Sequence, residues 1–239
     1  GLYGSPSLGG ISNVDDAVKR AEMGGTLNLS ELLRIAALLR AARSTKHYLE
    51  NQKGEKTSVH AWFAALNGNK YLEDKITESI ISEEEISDNA SPQLYDIRRQ
   101  IRASSSKIRD VLNRIVSSSS YSKMLQDAIV TQRSGRFVVP VKSEYRGSFG
   151  GLVHDVSSSG ATLFIEPSAV VELNNTLRVL YSKERDEIEH ILAQMSAEVA
   201  SFGSSIRGDY QALCRVDYIF ACGRLAYKLK AVRPILNED

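Results

Sequence analysis

His154 and Asp155 stand just ahead of Ser157, Ser158 and Ser159. These are the residue types of a nucleophilic hydrolase. A triad is a spatial arrangement, however, and neighbours on a strand point to opposite faces. His154 and Asp155 are therefore expected to anchor a turn, and the serines with Gly160 to close it through side-chain-to-backbone bonds. Glu166-Pro167 reads as a strand exit. The chain carries no G-x-x-x-x-G-K-[ST], H-E-x-x-H, C-x-x-C or G-x-S-x-G pattern. No catalytic, cofactor-binding or metal-ligating residue is assigned. His47, His60 and His190 are expected at the surface or rim of helices, and Trp62 and Phe63 in the core.

Charge is the stronger signal. Between Arg98 and Arg146 there are eleven basic side chains and three acidic ones, a net of +8 in a chain whose total is +1. A basic arm leading into a basic tip is the footprint of a phosphate-backbone binder; a solvated helix face rich in arginine is the open alternative. By charge and position at the tip, backbone contact is assigned to Lys123, Arg133, Arg136, Lys142 and Arg146. Tyr145, in a Gly-flexible loop beside Arg146, joins them as an aromatic able to meet a nucleic acid, although it could equally plug a small β core. Phe149 is expected in that core.

The elements that must position these residues follow from the pattern. The stretch 127–167 joins β-branched residues, Gly and alternation. Strands are expected at Ala128–Arg133, Arg136–Lys142, Leu152–Val156 and Thr162–Ile165, with turns at Ser134-Gly135, 147–151 and 157–160. Pro140 marks its strand as an edge or a bulge. Before this stretch, Ser91-Pro92 caps a helix expected to reach about Gln126. After it, Ser168 caps another, with an apolar seam from Val170 to Phe202 that Gly203 or Gly208 interrupts.

Further upstream, Ser12 or Asn13 caps a short helix that Gly24-Gly25 ends, and Ser30 caps a helix running to about Asn51, before Gly54. Shorter helices follow Ser58 and span about Tyr71 to Ile81, and Glu83 to Asp88 is an acidic connector. A last helix with Tyr210, Leu213, Val216, Phe220 and Leu225 runs to about Lys230, before Arg233-Pro234.

The expected fold is mainly α: elongated antiparallel helical levers with a small antiparallel β clamp at the tip and a helical base. Its parts are 1–90, 91–126, 127–167, 168–203 and 204–239. Two cysteines eight apart give neither a metal pair nor a disulfide framework, which points to a reducing cytoplasm. No apolar run approaches the ~20 residues of a membrane span. A chain starting at Gly1 and stopping at Asp239 reads as a piece of a longer protein.

One long pattern is specific. R-F-V-V-P-V-K-S-E-Y-R-G from Arg136, G-L-V-H-D-V-S-S-S-G-A-T-L-F-I-E-P from Gly151 and V-V-E-L-N-N from Val170 resemble the second bacterial branch of the MutS family. P-S-L-G-G-I at Pro6, L-R-A-A-R at Leu39, D-Y-I-F-A at Asp217 and R-L-A at Arg224 agree. The resemblance implies the lever and clamp region of an ATPase that suppresses recombination or rescues collided ribosomes. It implies DNA or ribosomal RNA as ligand, a homodimer, and ATP with magnesium in a domain beyond Asp239, often with an endonuclease domain. Two rival readings are a protein-interaction module and a hydrolase sited at His154, Asp155 and Glu166.

Overall fold

A computed structural model describes residues 11–50 and 60–231. The expectations at residues 1–10, around Gly54 and Ser58, and at Arg233-Pro234 lie outside the described residues. The fold is mainly α, with two small antiparallel sheets among the described residues. It divides into two compact units: the described residues of Gly1–Ala90 with Glu189–Asp239, and Ser91–Ile188.

In the first unit, α1 (Asp15–Glu22) ends at Gly24, whose φ of 83° suits glycine. The next helix, α2 (Leu29–Glu50), is capped not by Ser30 but by Asn28. The Asn28 side chain accepts from Glu31 N at 2.9 Å, and Glu31 reaches back to Asn28 N at 3.0 Å. This reciprocal box satisfies two donors where Ser30 would satisfy one. Leu32, Ile35, Ala36, Leu39 and Ala42 are all buried, as the apolar spacing predicts. A short helix, α3 (His60–Ala64), precedes α4 (Lys70–Ser79). Phe63 is buried but Trp62 is 41% exposed, with the Arg215 guanidinium 5.8 Å from its ring centre. The acidic connector is a hairpin, β1 (Ile80–Ser82) and β2 (Glu85–Ile86), because Ile80 and Ile86 are both apolar enough to bury.

Among the described residues of this unit, two carboxylates are buried. Asp209 accepts from Asn67 N at 2.7 Å and Gly68 N at 3.0 Å, while burial pushes its carboxyl up. Glu73, 3% exposed, is held by Arg40 and Arg43. Burial raises the Glu73 carboxyl, but the two guanidinium groups outweigh it and keep it below the usual carboxylate range.

The second unit starts at α5 (Pro92–Val116), where Ser91 Oγ accepts from Leu94 N and Pro92 occupies the first turn. Ser91 Oγ also donates to Glu187 at 2.6 Å. The helix stops ten residues short of Gln126 because the chain is drawn into the sheet: Lys142 N donates to Met124 O, and Leu125 bridges Val141. A short helix, α6 (Ser119–Ser122), intervenes, with Ser118 as its cap.

Strands β3 (Thr131–Arg133), β4 (Arg136–Lys142), β5 (Gly151–Val156) and β6 (Thr162–Pro167) form one antiparallel sheet in the order β3-β4-β6-β5. Pro140 therefore lies in an interior strand, not at an edge. It costs no ladder bond because β3 ends opposite Val138 and Pro140 meets the 124–126 segment on that side, accepting through its carbonyl from Gln126 N. Gly151 is required where it stands: a Cβ would lie 2.2 Å from Glu166 O.

One sheet face packs Val139, Val141 and Ile165 against Ile108 and Leu112 of α5 and Leu177 of α7 (Val171–Ser201). Within this unit α5 and α7 run antiparallel, as the Ser91–Glu187 and Arg98–Glu184 pairs require. The last helix, α8 (Gly203–Lys228), begins straight after α7, so Gly203 rather than Gly208 marks the break.

Candidate nucleic-acid interface

Glu166, the penultimate residue of β6, is fully buried. An isolated carboxylate there would be prohibitive, and it is saturated instead. Arg136 Nη1 lies 2.7 and 3.0 Å from its two oxygens, and Asn174 Nδ2 donates to it at 2.7 Å. His154 Nε2 lies 2.5 Å from Oε2. Arg136 also donates to Asn175 at 2.7 Å, and Asn174 exchanges two bonds with the Phe137 backbone, both 3.1 Å. Glu166 thus ties β4, β5, β6 and the start of α7 together.

A bulge explains the part played by His154. Val153 pairs with Ile165 and Asp155 with Phe164, so His154 is the extra residue of β5, and the bulge re-aims it. Asp155 goes elsewhere, to Arg133 at 3.2 Å. His154 and Asp155 are therefore not a turn-anchoring pair. The serine turn forms as expected: Ser157 Oγ accepts from Thr162 N at 3.0 Å, and Gly160 has a φ of 74°. Glu166, Asn174 and Asn175 were missed as a group. The one visible signal was a carboxylate closing an otherwise apolar strand.

The six residues singled out from sequence divide into two sets at opposite ends of β4, about 20 Å apart for six strand steps. At the first end, Arg136 is committed to Glu166. Arg133 is held by Asp155 and lies 3.9 Å over the Phe164 ring. At the other end, Lys142 Nζ donates to Lys123 O at 3.2 Å, bringing both lysines together. Arg146 is exposed and closes the turn begun by Ser143–Tyr145. Tyr145 is half-buried against the sheet core, which also encloses Phe149. Among the described residues, Lys123, Lys142 and Arg146 form no ion pair.

Several α5 cations are engaged as well: Arg98 with Glu184 at 2.7 Å, Arg99 with Asp96 at 3.0 Å, and Arg109 5.3 Å from the Phe137 ring centre.

A cleft of about 630 Å³ opens at the Arg136 end. Its sheet wall is the Ser134-Gly135 turn with Arg136 and His154. Its helix wall is α7, through Arg178, Tyr181, Glu184 and Arg185. A concave site thus exists in this unit. Both Glu166 oxygens are taken up by Arg136, Asn174 and His154. Among the described residues no cluster of three or more His, Cys, Asp or Glu could hold a metal ion, and no helix is long and apolar enough to cross a membrane.

No family model matches the chain. Curated relatives do, along nearly its whole length. The Endonuclease MutS2 of Acetivibrio thermocellus is 47% identical over 239 residues, 99% of this chain and 30% of the relative. That of Clostridioides difficile is 46% identical over 239 residues, again 99% and 30%. That of a Geobacillus species is 42% identical over 240 residues, 99% of this chain and 31% of the relative. The chain spans about 30% of the length of the relatives it matches.

Proposed function

The chain belongs to the MutS-II family, and on that premise we propose that it is the nucleic-acid-gripping segment of a larger endonuclease and ATPase. The observation that carries this reading is the group of three unpaired cations, Lys123, Lys142 and Arg146, beside Tyr145. Cations without carboxylate partners are the ones whose charge is available to phosphates. Arg136, paired with the buried Glu166, and Arg133, in an exposed pair with Asp155, carry less free charge and take a lesser part in this reading.

The ligand is the sugar-phosphate backbone of DNA, duplex or branched, or of ribosomal RNA. In the whole protein, two copies would enclose it, suppressing recombination or rescuing collided ribosomes in the cytoplasm. ATP and magnesium would bind outside the portion this chain spans, and no residue described here is assigned to them.

The test is binding of the chain to labelled duplex, branched DNA and ribosomes across a salt series. Replacing Lys123, Lys142 and Arg146 by Ala should reduce the salt slope on duplex by about 2.7, at 0.9 per lost phosphate contact. An unchanged slope with an intact circular-dichroism spectrum overturns the reading. A second reading, a protein-interaction module, is favoured by the exposure of Leu152, Val153 and Val156 on β5. It expects binding to a protein ligand that is nearly indifferent to salt.

A further inference from the structure

The cleft between the Ser134-Gly135 turn and α7 has a charge imbalance that the fold does not use. Its two carboxylate-bearing pairs are closed: Arg136 with the buried Glu166, and Glu184 with Arg98. Arg178 and Arg185 remain. Both are exposed, and among the described residues neither forms an ion pair or a hydrogen bond through its side chain. Between them, Tyr181 is 40% exposed. Arg178, Tyr181 and Arg185 follow the spacing i, i+3, i+7, which puts them on one helix face, and all three line the cleft.

We infer that this cleft is a second binding site, for a single strand of nucleic acid, with a base against Tyr181 and phosphates on Arg178 and Arg185. The inference rests on the nucleic-acid reading above but concerns different residues, at the other end of β4. Three features select the ligand. Two free guanidinium groups call for an anion, and their planar fork suits phosphate. An exposed ring between them offers a stacking surface that any base can use. Seven residues of helix set the arginines about 10.5 Å apart along the axis, close to three steps of a stacked strand at ~3.4 Å each. A mononucleotide carries its phosphate at one end and would engage one arginine. A duplex turns its bases inward, so it offers Tyr181 no face.

The experiment uses the full chain, with a fluorescent single-stranded hexanucleotide, a duplex of the same sequence and adenosine monophosphate as probes. Arg178→Ala with Arg185→Ala should weaken single-strand binding at least tenfold and lower its salt slope by about 1.4, at 0.7 per contact on a single strand. Duplex binding should be unchanged. Tyr181→Leu should weaken single-strand binding about tenfold and leave the slope alone, a readout that charge loss would not give. Both arginines and the ring are solvent-facing, so circular dichroism and the urea midpoint should match those of the parent.

Single-strand binding that ignores the arginine pair, while duplex binding still responds to Lys123, Lys142 and Arg146, overturns this site and leaves the clamp reading standing. Equal losses for strand and adenosine monophosphate overturn the strand assignment in favour of a free nucleotide. No binding of any nucleic acid overturns both readings.

Discussion

Arg136 illustrates how a cation in a basic stretch can be engaged within the fold. An arginine in a basic stretch reads as a phosphate contact, yet here it neutralises Glu166, which has no exposure at all. Changing Glu166 to Gln should destabilise the chain by about 3–5 kcal/mol, the usual consequence of removing one partner of a buried pair, read from the urea midpoint. Replacing Arg136 and Glu166 together by Met should cost less than the sum of the two single changes. Arg136→Ala is therefore a poor probe of nucleic-acid binding, since any loss would mix contact with unfolding.

Glu73 gives a pH signature at the same scale. Its folded carboxyl lies below its ordinary value of about 4.3. Its contribution is therefore present above that value and lost as the pH falls from there through the lower folded value. Arg40→Met with Arg43→Met should remove about 2 kcal/mol at neutral pH, less than for a fully buried pair because both guanidinium groups are about half-exposed. It should also invert the sign. With burial alone acting, the folded carboxyl rises above its ordinary value, and the variant should lose stability as the pH rises through that window. Urea midpoints between pH 3 and 8 would check both slopes.

At the scale of elements, the hairpin between β3 and β4 turns on Ser134 and Gly135, with φ of 49° and 74°. Two positive angles in succession define a type I′ turn, for which Asn-Gly is the favoured pair. Ser134→Asn should therefore raise stability by about 0.5 kcal/mol, measurable in thermal unfolding. Gly151→Ala should do the reverse and disrupt the β5–β6 pairing, since its Cβ would meet the Glu166 carbonyl.

This turn and the strand Arg136–Lys142 were legible in the sequence because local chemistry dictates them. So was the start of α5, where Ser91 and Pro92 leave the backbone little choice. The end of α5 was not legible. Nothing between Ser117 and Gln126 announces that Leu125 will pair with Val141, a contact made by a strand that comes later in the chain. The Glu166 network escaped notice for the same reason: its members become neighbours only when three strands and a helix assemble. The His154 bulge also had no local mark, so the alternation rule placed that side chain without the extra residue.

At the scale of the whole molecule, the second unit carries its own apolar core around Val139, Val141 and Ile165. Its two ends meet through Ser91 and Glu187. A segment 91–188 produced alone should therefore unfold in one cooperative step, checked by coincident fluorescence and circular-dichroism transitions. The net +8 between Arg98 and Arg146 overstates the charge on offer, because Arg98, Arg99, Arg133 and Arg136 are already paired. The number of phosphates the molecule grips should thus be smaller than its composition suggests, and the measured salt slope should track the unpaired cations.

Strand β5 closes one side of its sheet with Leu152, Val153 and Val156 exposed and a row of peptide groups facing no partner strand among the described residues. Such a border invites another chain to continue the sheet and so to aggregate. The extra residue His154 breaks the regular spacing of that border, so an incoming strand could stay in register on only one side of it. The irregularity that aims an imidazole at Glu166 should thereby also disfavour edge-to-edge pairing between copies.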